Sequence, residues 1–313
     1  MTTRIVVIGN GGFAVNCLQV MTASAGINVP LVIVDPKAPA VQGLLQRVCL
    51  DRNLPVMEAA DINAKAIIDA VAAAAPDFLF SVYNMQIIKR TLLEIPRIAA
   101  VNFHNGPLPR YRGVNVYSWA IINGESHYGV TWHLMDQGID TGDILAQKMF
   151  PLSAHETPNT LVAKGFRAGV ELLHDFLPKL ITGQHAPVKQ DEALATYYSK
   201  RDCPNGGRID FRWSFSRIER FVRGLDFRPL KNSFVYPTAS FRGQAFHPQT
   251  VSLIRVGHTH VAGAILDVEM NSIQVQAGDA VVELRDLLDA GNRPIAAREL
   301  QQTLGFRETD VLD

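Results

Sequence analysis

The chain predicts an α/β fold class in two parts: an open, largely parallel sheet domain, then a small β-rich, barrel-like domain. Three observations carry that reading. The apolar run RIVVI, a Gly-rich turn, a helix-patterned stretch and a second apolar run VPLVIV open the sequence as a βαβ unit. The polar segment 188–207 finishes in Pro-Asn-Gly-Gly, which is linker composition. Beyond it come short β-like runs separated by Gly and Asn, the pattern of a small barrel. The boundaries read as 1–187, a linker at 188–207, and 208–313, and 313 residues are enough for two cores.

In order, residues 4–8 are a buried-strand run, Gly9-Asn10-Gly11-Gly12 a tight turn, 13–25 a helix and 29–34 a second strand ending at Asp35-Pro36. This opening imitates a dinucleotide fingerprint, with glycines after strand one and an acid after strand two. The glycines run G-N-G-G-F-A and miss the third glycine, and a plain strand-to-helix turn is the favoured reading. Residues 43–53 and 63–74 carry helical apolar faces, Pro76-Asp77 closes the second, and 78–83 is another buried strand. Residues 84–88 form a loop or helix start running into 89–93. Residues 98–103 form a strand that delivers Asn102 and His104 at its end, where open α/β sheets gather ligands.

A helix at 115–123 is closed by Gly124. Residues 128–135 alternate as a strand, and 143–150 continue in extended form. Thr157 or Asn159 caps a helix running to about residue 180, with Val162, Phe166, Val170, Leu173 and Leu177 as its apolar stripe. Past the linker, 216–224 is a helix, and 234–236, 239–241, 250–256, 261–268, 272–277 and 280–284 are short strands.

Hydrophobic residues are 47% and charged residues 19%, which excludes disordered and fibrous classes. Thirty Lys and Arg balance thirty Asp and Glu, so no global field draws the chain to nucleic acid or an anionic membrane. No charged-then-apolar leader precedes RIVVIG. The longest apolar stretch, 64–85, is broken by Lys65, Asp69, Pro76 and Asp77, so the expectation is a cytoplasmic protein with no membrane span. Cys17, Cys49 and Cys203 are odd in number and unspaced, which fits a reducing compartment and points to neither disulfides nor zinc.

The chemistry concentrates between Val101 and Gln147. Asn102 and His104 stand two apart on a strand and so face the same way. Asp136 and Asp140 follow in a Gly-punctuated loop; if it folds back, an amide, an imidazole and a carboxylate converge. Such a trio stabilises an oxyanion, passes a proton and holds the His in its working state.

Three blocks in this stretch, Asn102-Phe103-His104, Leu108-Pro109-Arg110-Tyr111-Arg112-Gly113 and Asp136-Gln137-Gly138-Ile139-Asp140-Thr141-Gly142, resemble the folate-dependent formyltransferase family. The resemblance covers nearly the whole chain. It implies a Rossmann-like N-terminal domain that binds 10-formyltetrahydrofolate, and an OB-like C-terminal domain like that of methionyl-tRNA formyltransferases and some sugar formyltransferases. It implies Asn102, His104 and Asp140 as the catalytic residues, with no metal. Donor contacts fall to Met85, Gln86, Ile87 and Ile88, to Gly106, Pro107, Leu108 and Pro109, and to Asp136, Gln137, Gly138 and Ile139. On this reading a neutral amine attacks the formyl carbon. Asn102 and a protonated His104 donate to the oxyanion, and Asp140 favours the charged imidazole and takes the amine's proton through a water.

A tRNA acceptor calls for a basic C-terminal domain, but residues 206–313 hold 13 Arg and Lys against 13 Asp and Glu. The loop PKAPAVQGLLQ keeps only Lys37 where the tRNA enzymes carry a basic insertion. HNGPLPRYRG and GVTWHLMD look closest to formylation domains of peptide synthetases and to stand-alone enzymes of siderophore and antibiotic pathways. Arg112-Gly113 and the run from Trp119 to Glu125 are also similar to sugar-nucleotide enzymes, though Val114-Asn115-Val116 replaces their Ala-Pro version. The expectation is an N-formyltransferase acting on a small-molecule amine or hydroxylamine, amino-acid-like, such as hydroxyornithine in specialised metabolism. Aminosugar nucleotides rank second and methionyl-tRNA third, and a formyl-folate hydrolase fits the same motif. From other classes come a nicotinamide-dependent dehydrogenase using Gly9 to Gly12 and Asp35, and a non-catalytic binding module. Trp132, His133 and Tyr117 are candidates for the acceptor pocket or, equally, core aromatics. His133 reads as a packing or acceptor-side residue. Neither nucleic acid nor a membrane is an expected partner, and a homodimer is possible.

Overall fold

The structure is a computed structural model describing residues 2–36 and 43–313. Lys37 and most of the loop weighed for tRNA lie outside the described residues. Strand β1 (Thr3–Gly9) is buried from Ile5 onward, as a Val/Ile run covered on both faces should be. Helix α1 (Gly11–Ala23) leaves it through the Gly-rich turn, whose first glycine has a packing reason: a Cβ on Gly9 would lie 2.5 Å from the Val82 carbonyl oxygen. Then follow β2 (Ile27–Val34), α2 (Leu44–Asp51), a short β3 (Val56–Glu58), α3 (Lys65–Ala74), β4 (Phe78–Val82), α4 (Arg90–Leu93) and β5 (Ala99–His104). A two-residue β6 (Arg112–Gly113) and α5 (Val116–Asn123) lead to the hairpin of β7 (His127–Leu134) and β8 (Ile144–Pro151). Helix α6 (Pro158–Ile181) begins where the Thr157 hydroxyl accepts the Thr160 N–H, and β9 (Tyr197–Tyr198) pairs parallel with β6.

The large sheet has the order β3-β2-β1-β4-β5-β7-β8. Pairing is parallel from β3 to β5 and turns antiparallel at β7 and β8. One compact unit takes the chain through Gly113 together with His127–Pro151 and Val162–Tyr198; the other comprises Val114–Ser126, Leu152–Leu161 and Ser199–Asp313. The polar stretch 188–198 is tied into the first unit: Val188 bridges Ile144, and β9 lies on β6.

In the second unit, α7 (Phe215–Gly224) precedes β10 (Ala239–Phe241), β11 (Gln244–Val256), β12 (Ile265–Val268), β13 (Ile273–Gln276), β14 (Ala280–Leu288) and α8 (Ala297–Leu304). The strands form an open antiparallel sheet in the order β10-β11-β14-β13-β12, a curled half-barrel. A break in register between Leu253 and Arg255 bends the long β11 strand, as bulges do. Residues 234–236, expected as a strand, are instead irregular. Asn232 accepts the Phe234 N–H and donates to the Leu225 and Val235 carbonyls, satisfying by side chain what a ladder would supply. No helix among the described residues is long and apolar enough to cross a membrane.

Candidate active site

The site is built on two strands paired in register: Asn102 opposite His133, Phe103 opposite Trp132, His104 opposite Thr131. Alternation sends Asn102, His104, Thr131 and His133 to one face and Phe103 and Trp132 to the other. Behind the sheet, the Phe103 ring lies 4.3 Å from Phe13 and 5.2 Å from Trp132. Trp132 is wholly buried and donates its Nε1–H to the Gly169 carbonyl at 2.9 Å. It is a core residue, not an acceptor contact. Gly169 lets α6 come this close, since a Cβ there would overlap the Phe103 ring. Burying each of these rings contributes on the order of 2–3 kcal/mol and fixes the opposite face of both strands.

On the polar face the loop carrying Asp140 folds back as expected. Its Oδ2 lies 3.3 Å from His104 Nδ1 and 2.9 Å from the Gly113 N–H, and its Oδ1 lies 3.4 Å from His133 Nε2. Asn102 Nδ2 is 3.1 Å from His133 Nε2, and His133 Nδ1 donates to the Leu134 carbonyl at 2.7 Å. Asn102 Nδ2 and Asp140 Oδ1 thus meet at the one ring nitrogen of His133 that the Leu134 carbonyl leaves free. His104 Nε2 donates to the Tyr111 carbonyl at 2.6 Å. Gly106 packs on the same edge of the ring, where a Cβ would come within 2.5 Å of Nε2.

Burial decides the charge state of His104. It pushes the imidazole below its ordinary value of 6.5, outweighing the upward pull of the Asp140 carboxylate and of the bond to Tyr111. Burial thus favours a neutral resting ring, its proton on the Nε2 that donates to Tyr111. For Asp140 burial alone would favour the acid, but His104, His133 and the Gly113 N–H together hold the carboxyl well below the usual range. A proton arriving at His104 Nδ1 thus meets an ionised carboxylate. The ¹⁵N shifts of the His104 ring should titrate with a midpoint below 6.5, and Asp140→Asn should lower that midpoint further, because only an anion beside the ring raises it. A midpoint above 6.5, or an upward move in the variant, contradicts this assignment.

The residues expected to hold a donor divide by exposure. Met85 (64% exposed) and Ile87 (72%) present apolar side chains to solvent, whereas Ile88 is buried in a core cluster. Gln86 is an anchor: its Oε1 accepts the Ile62 N–H and its Nε2 donates to Asp35 and to the Ala59 carbonyl. Asp35, the acid of the dinucleotide-like pattern, is thereby partnered within the fold. Because β4 and β5 are parallel with Ser81 opposite Asn102, the loop starting at Tyr83 leaves the sheet beside His104. Gly106 and Leu108 are buried, Pro107 and Pro109 half-buried. Thr131 and Gln147 pin this loop, Thr131 donating to the Gly106 carbonyl and Gln147 to that of Leu108. Asp136 shapes its own turn by accepting from the Gly138 N–H and the Thr141 hydroxyl, with Gln137, Gly138 and Ile139 exposed beyond it.

His133, Thr131, Gln147 and Gln190 belong to none of the three sequence blocks that mark the site. The alternation that exposed Asn102 and His104 equally marks Thr131 and His133, but their partners lie on the neighbouring strand. Gln190, in the polar stretch, donates to the carbonyls of Asp140 and Gly142. Tyr117 lies in the other unit, its ring 6.3 Å from Phe227.

Residues 3–177 match the formyl transferase family and residues 204–304 match the formyl transferase C-terminal domain. A methionyl-tRNA formyltransferase of Citrifermentans bemidjiense is 31% identical over 300 residues, covering 94% of this chain and 91% of that protein. Among solved structures, an N-formyltransferase from Helicobacter canadensis, in complex with folinic acid and dTDP-3-aminofucose, superposes with a TM-score of 0.67 at 21% identity, over 91% of this chain and 99% of its own. HypX from Aquifex aeolicus, in complex with tetrahydrofolic acid, gives 0.61 at 16% identity, over all of this chain and 51% of the larger protein. Sequence matches over both parts of the chain, and a shared fold with a folate-binding enzyme, agree with the convergence of strand β5 and its returning loop: the chain belongs to the formyl transferase family.

Proposed function

We propose that this enzyme transfers a formyl group from 10-formyltetrahydrofolate to the amine or hydroxylamine nitrogen of a small, amino-acid-like metabolite. The observation carrying the reaction is that Asp140 lies 3.3 Å from His104 and 3.4 Å from His133, which in turn is 3.1 Å from Asn102, all on one sheet face. The surroundings fit a flat, amphipathic donor: the exposed apolar side chains of Met85 and Ile87 stand on the loop beside His104, and Ile139 is 45% exposed on the loop before Asp140. Apolar side chains contact the faces of such a ring system, and loop main-chain groups its polar edge. When bound, 10-formyltetrahydrofolate supplies the formyl carbon as electrophile and leaves as tetrahydrofolate. The chain's own groups do the rest. Asn102 Nδ2–H donates where negative charge grows on the formyl oxygen, while His104 Nε2–H stays on the Tyr111 carbonyl and fixes the ring. His104 Nδ1, backed by Asp140, takes up the proton released from the attacking nitrogen. No step calls for a metal, and among the described residues no cluster of His, Cys, Asp and Glu has metal-binding geometry.

For the acceptor, the supporting observation is charge. With 13 basic and 13 acidic residues, the segment 206–313 has no excess of cations to neutralise phosphates. The 31% identity to a methionyl-tRNA formyltransferase favours a second reading, transfer to a charged tRNA. The two separate in one assay. Purified protein meets 10-formyltetrahydrofolate with hydroxyornithine and related amino acids, aminosugar nucleotides, charged initiator tRNA, and water alone, and products are weighed by mass spectrometry. The expected result is one added formyl group on an amino-acid-like member, with an acceptor KM nearly constant between about 50 and 200 mM salt. Formylation of the tRNA with a KM that climbs steeply over that range replaces the first reading by the second. Deformylation in water alone, with no amine product, identifies a hydrolase.

A further inference from the structure

We propose that Gln190, oriented by Arg112, is a positioning residue of this site, clamping the backbone of the Asp140 loop so that the carboxylate meets His104. The proposal rests on the assignment of Asp140 to the reaction. Asp140 sits in the left-handed region at φ 57°, a conformation a non-glycine residue keeps only when its neighbours hold it. Its side chain is held by the Gly113 N–H at 2.9 Å. Its main chain is held by Gln190, whose Nε2 donates to the Asp140 carbonyl at 2.8 Å and to the Gly142 carbonyl at 2.7 Å, using both amide hydrogens on one loop.

The orientation of that amide is fixed. Gln190 Oε1 accepts from Arg112 Nε at 3.1 Å and Nη2 at 2.7 Å. A guanidinium has only donors, so the oxygen must face Arg112 and the nitrogen must face the loop. Arg112, its side chain 7% exposed, is held in turn by a two-pronged contact to Glu192 at 2.9 and 2.7 Å. Consecutive residues of β6 therefore hold Asp140 at two points: Gly113 grips the carboxylate, and Arg112, through Gln190, grips the main chain. The anchor comes from residues 190–192, fifty positions along the chain, in a stretch whose polar composition reads as a tether. Its polarity serves main-chain carbonyls of the reactive loop.

Gln190→Glu tests this because it is isosteric. It keeps or strengthens the contact to Arg112 and removes both donors to the loop. Turnover is followed as tetrahydrofolate released from 10-formyltetrahydrofolate in the presence of the acceptor panel, and donor affinity by titration with 5-formyltetrahydrofolate. The expected result is turnover lowered about ten- to a hundredfold, donor affinity unchanged, and no further loss when the substitution is added to Asp140→Asn. Gln190→Met, which removes the donors without adding a charge, must give the same pattern. Wild-type turnover in either variant overturns the proposal. So does an equal fold-loss in the Asp140→Asn background, or a fall in donor affinity that accompanies the fall in turnover, since a purely structural prop would act that way. Asp140→Asn with normal turnover would remove the premise instead, and that result is read from the single variant alone.

Discussion

His104→Ala and Asp140→Asn should each lower turnover by about 10²- to 10⁴-fold while leaving 5-formyltetrahydrofolate affinity within a few-fold of the parent. The reasoning starts from where these groups lie. Both are nearly buried at the end of β5, with Asp140 Oδ2 3.3 Å from His104 Nδ1, while the apolar side chains suited to a donor ring, Met85 and Ile87, stand on the loop beyond β4. Removing the imidazole takes away a proton acceptor whose interaction with Asp140 strengthens only as charge develops. Such losses appear in kcat rather than in ground-state binding. Asn at position 140 keeps the shape and one acceptor oxygen but removes the anion that makes a protonated His104 tolerable in a buried site. The Asp140 carboxyl is held well below its ordinary range, so the parent's carboxylate stays ionised through the whole assay range and the comparison is not confounded by its titration. The two substitutions act on one unit, so the double variant should be little worse than either single one. Turnover within a few-fold of the parent in either single variant would sink the assignment.

How much of this was legible follows from where each residue's partner lies. Strand β5 announces Asn102 and His104 because alternation is local, and the Gly-punctuated loop announces Asp140 because its spacing is. His133 obeys the same alternation as Asn102, yet its role follows from the register between β5 and β7, which places Asn102 directly opposite it and no linear reading shows. Gln190 was hidden by composition: a stretch rich in Lys, Gln, Asp and Glu looks solvated, whereas here it ends on main-chain carbonyls. The charge balance at His104 is half hidden for a related reason. The sequence shows the carboxylate that raises its pKa but not the depth of burial that lowers it. In the second unit the apolar runs of β10 to β14 were visible. Helix α8 was not recognised, although its apolar positions recur at helical spacing and Gly305 closes it in the left-handed conformation. The strand expected at 234–236 failed because Asn232 satisfies the backbone locally.

Gly113→Ala should combine a loss of stability with a loss of turnover, and the two separate by comparison with Gly183→Ala. Both glycines have positive φ, 96° at Gly113 and 69° at Gly183, so alanine at either carries a backbone cost of about 1–2 kcal/mol. They differ in what surrounds them. A Cβ at Gly183 meets nothing within 4 Å, whereas one at Gly113 would overlap the carbonyl of Tyr198, a main-chain atom of the β6–β9 ladder that cannot rotate away. Relieving that overlap requires the strands to part, which brings the expected loss at Gly113 to roughly 3 kcal/mol or more and the fall in Tm to roughly 6–12 °C. The same displacement moves the N–H that grips Asp140, so turnover should fall about a hundredfold even well below the new Tm, as an ångström of misplacement at a reacting group does. Gly183→Ala, by contrast, should lose only its backbone cost and keep its turnover. Thermal unfolding and formyl-transfer rates on the two variants decide the matter. Equal stability and equal rates would mean that β9 yields freely and that the hold on Asp140 does not depend on Gly113.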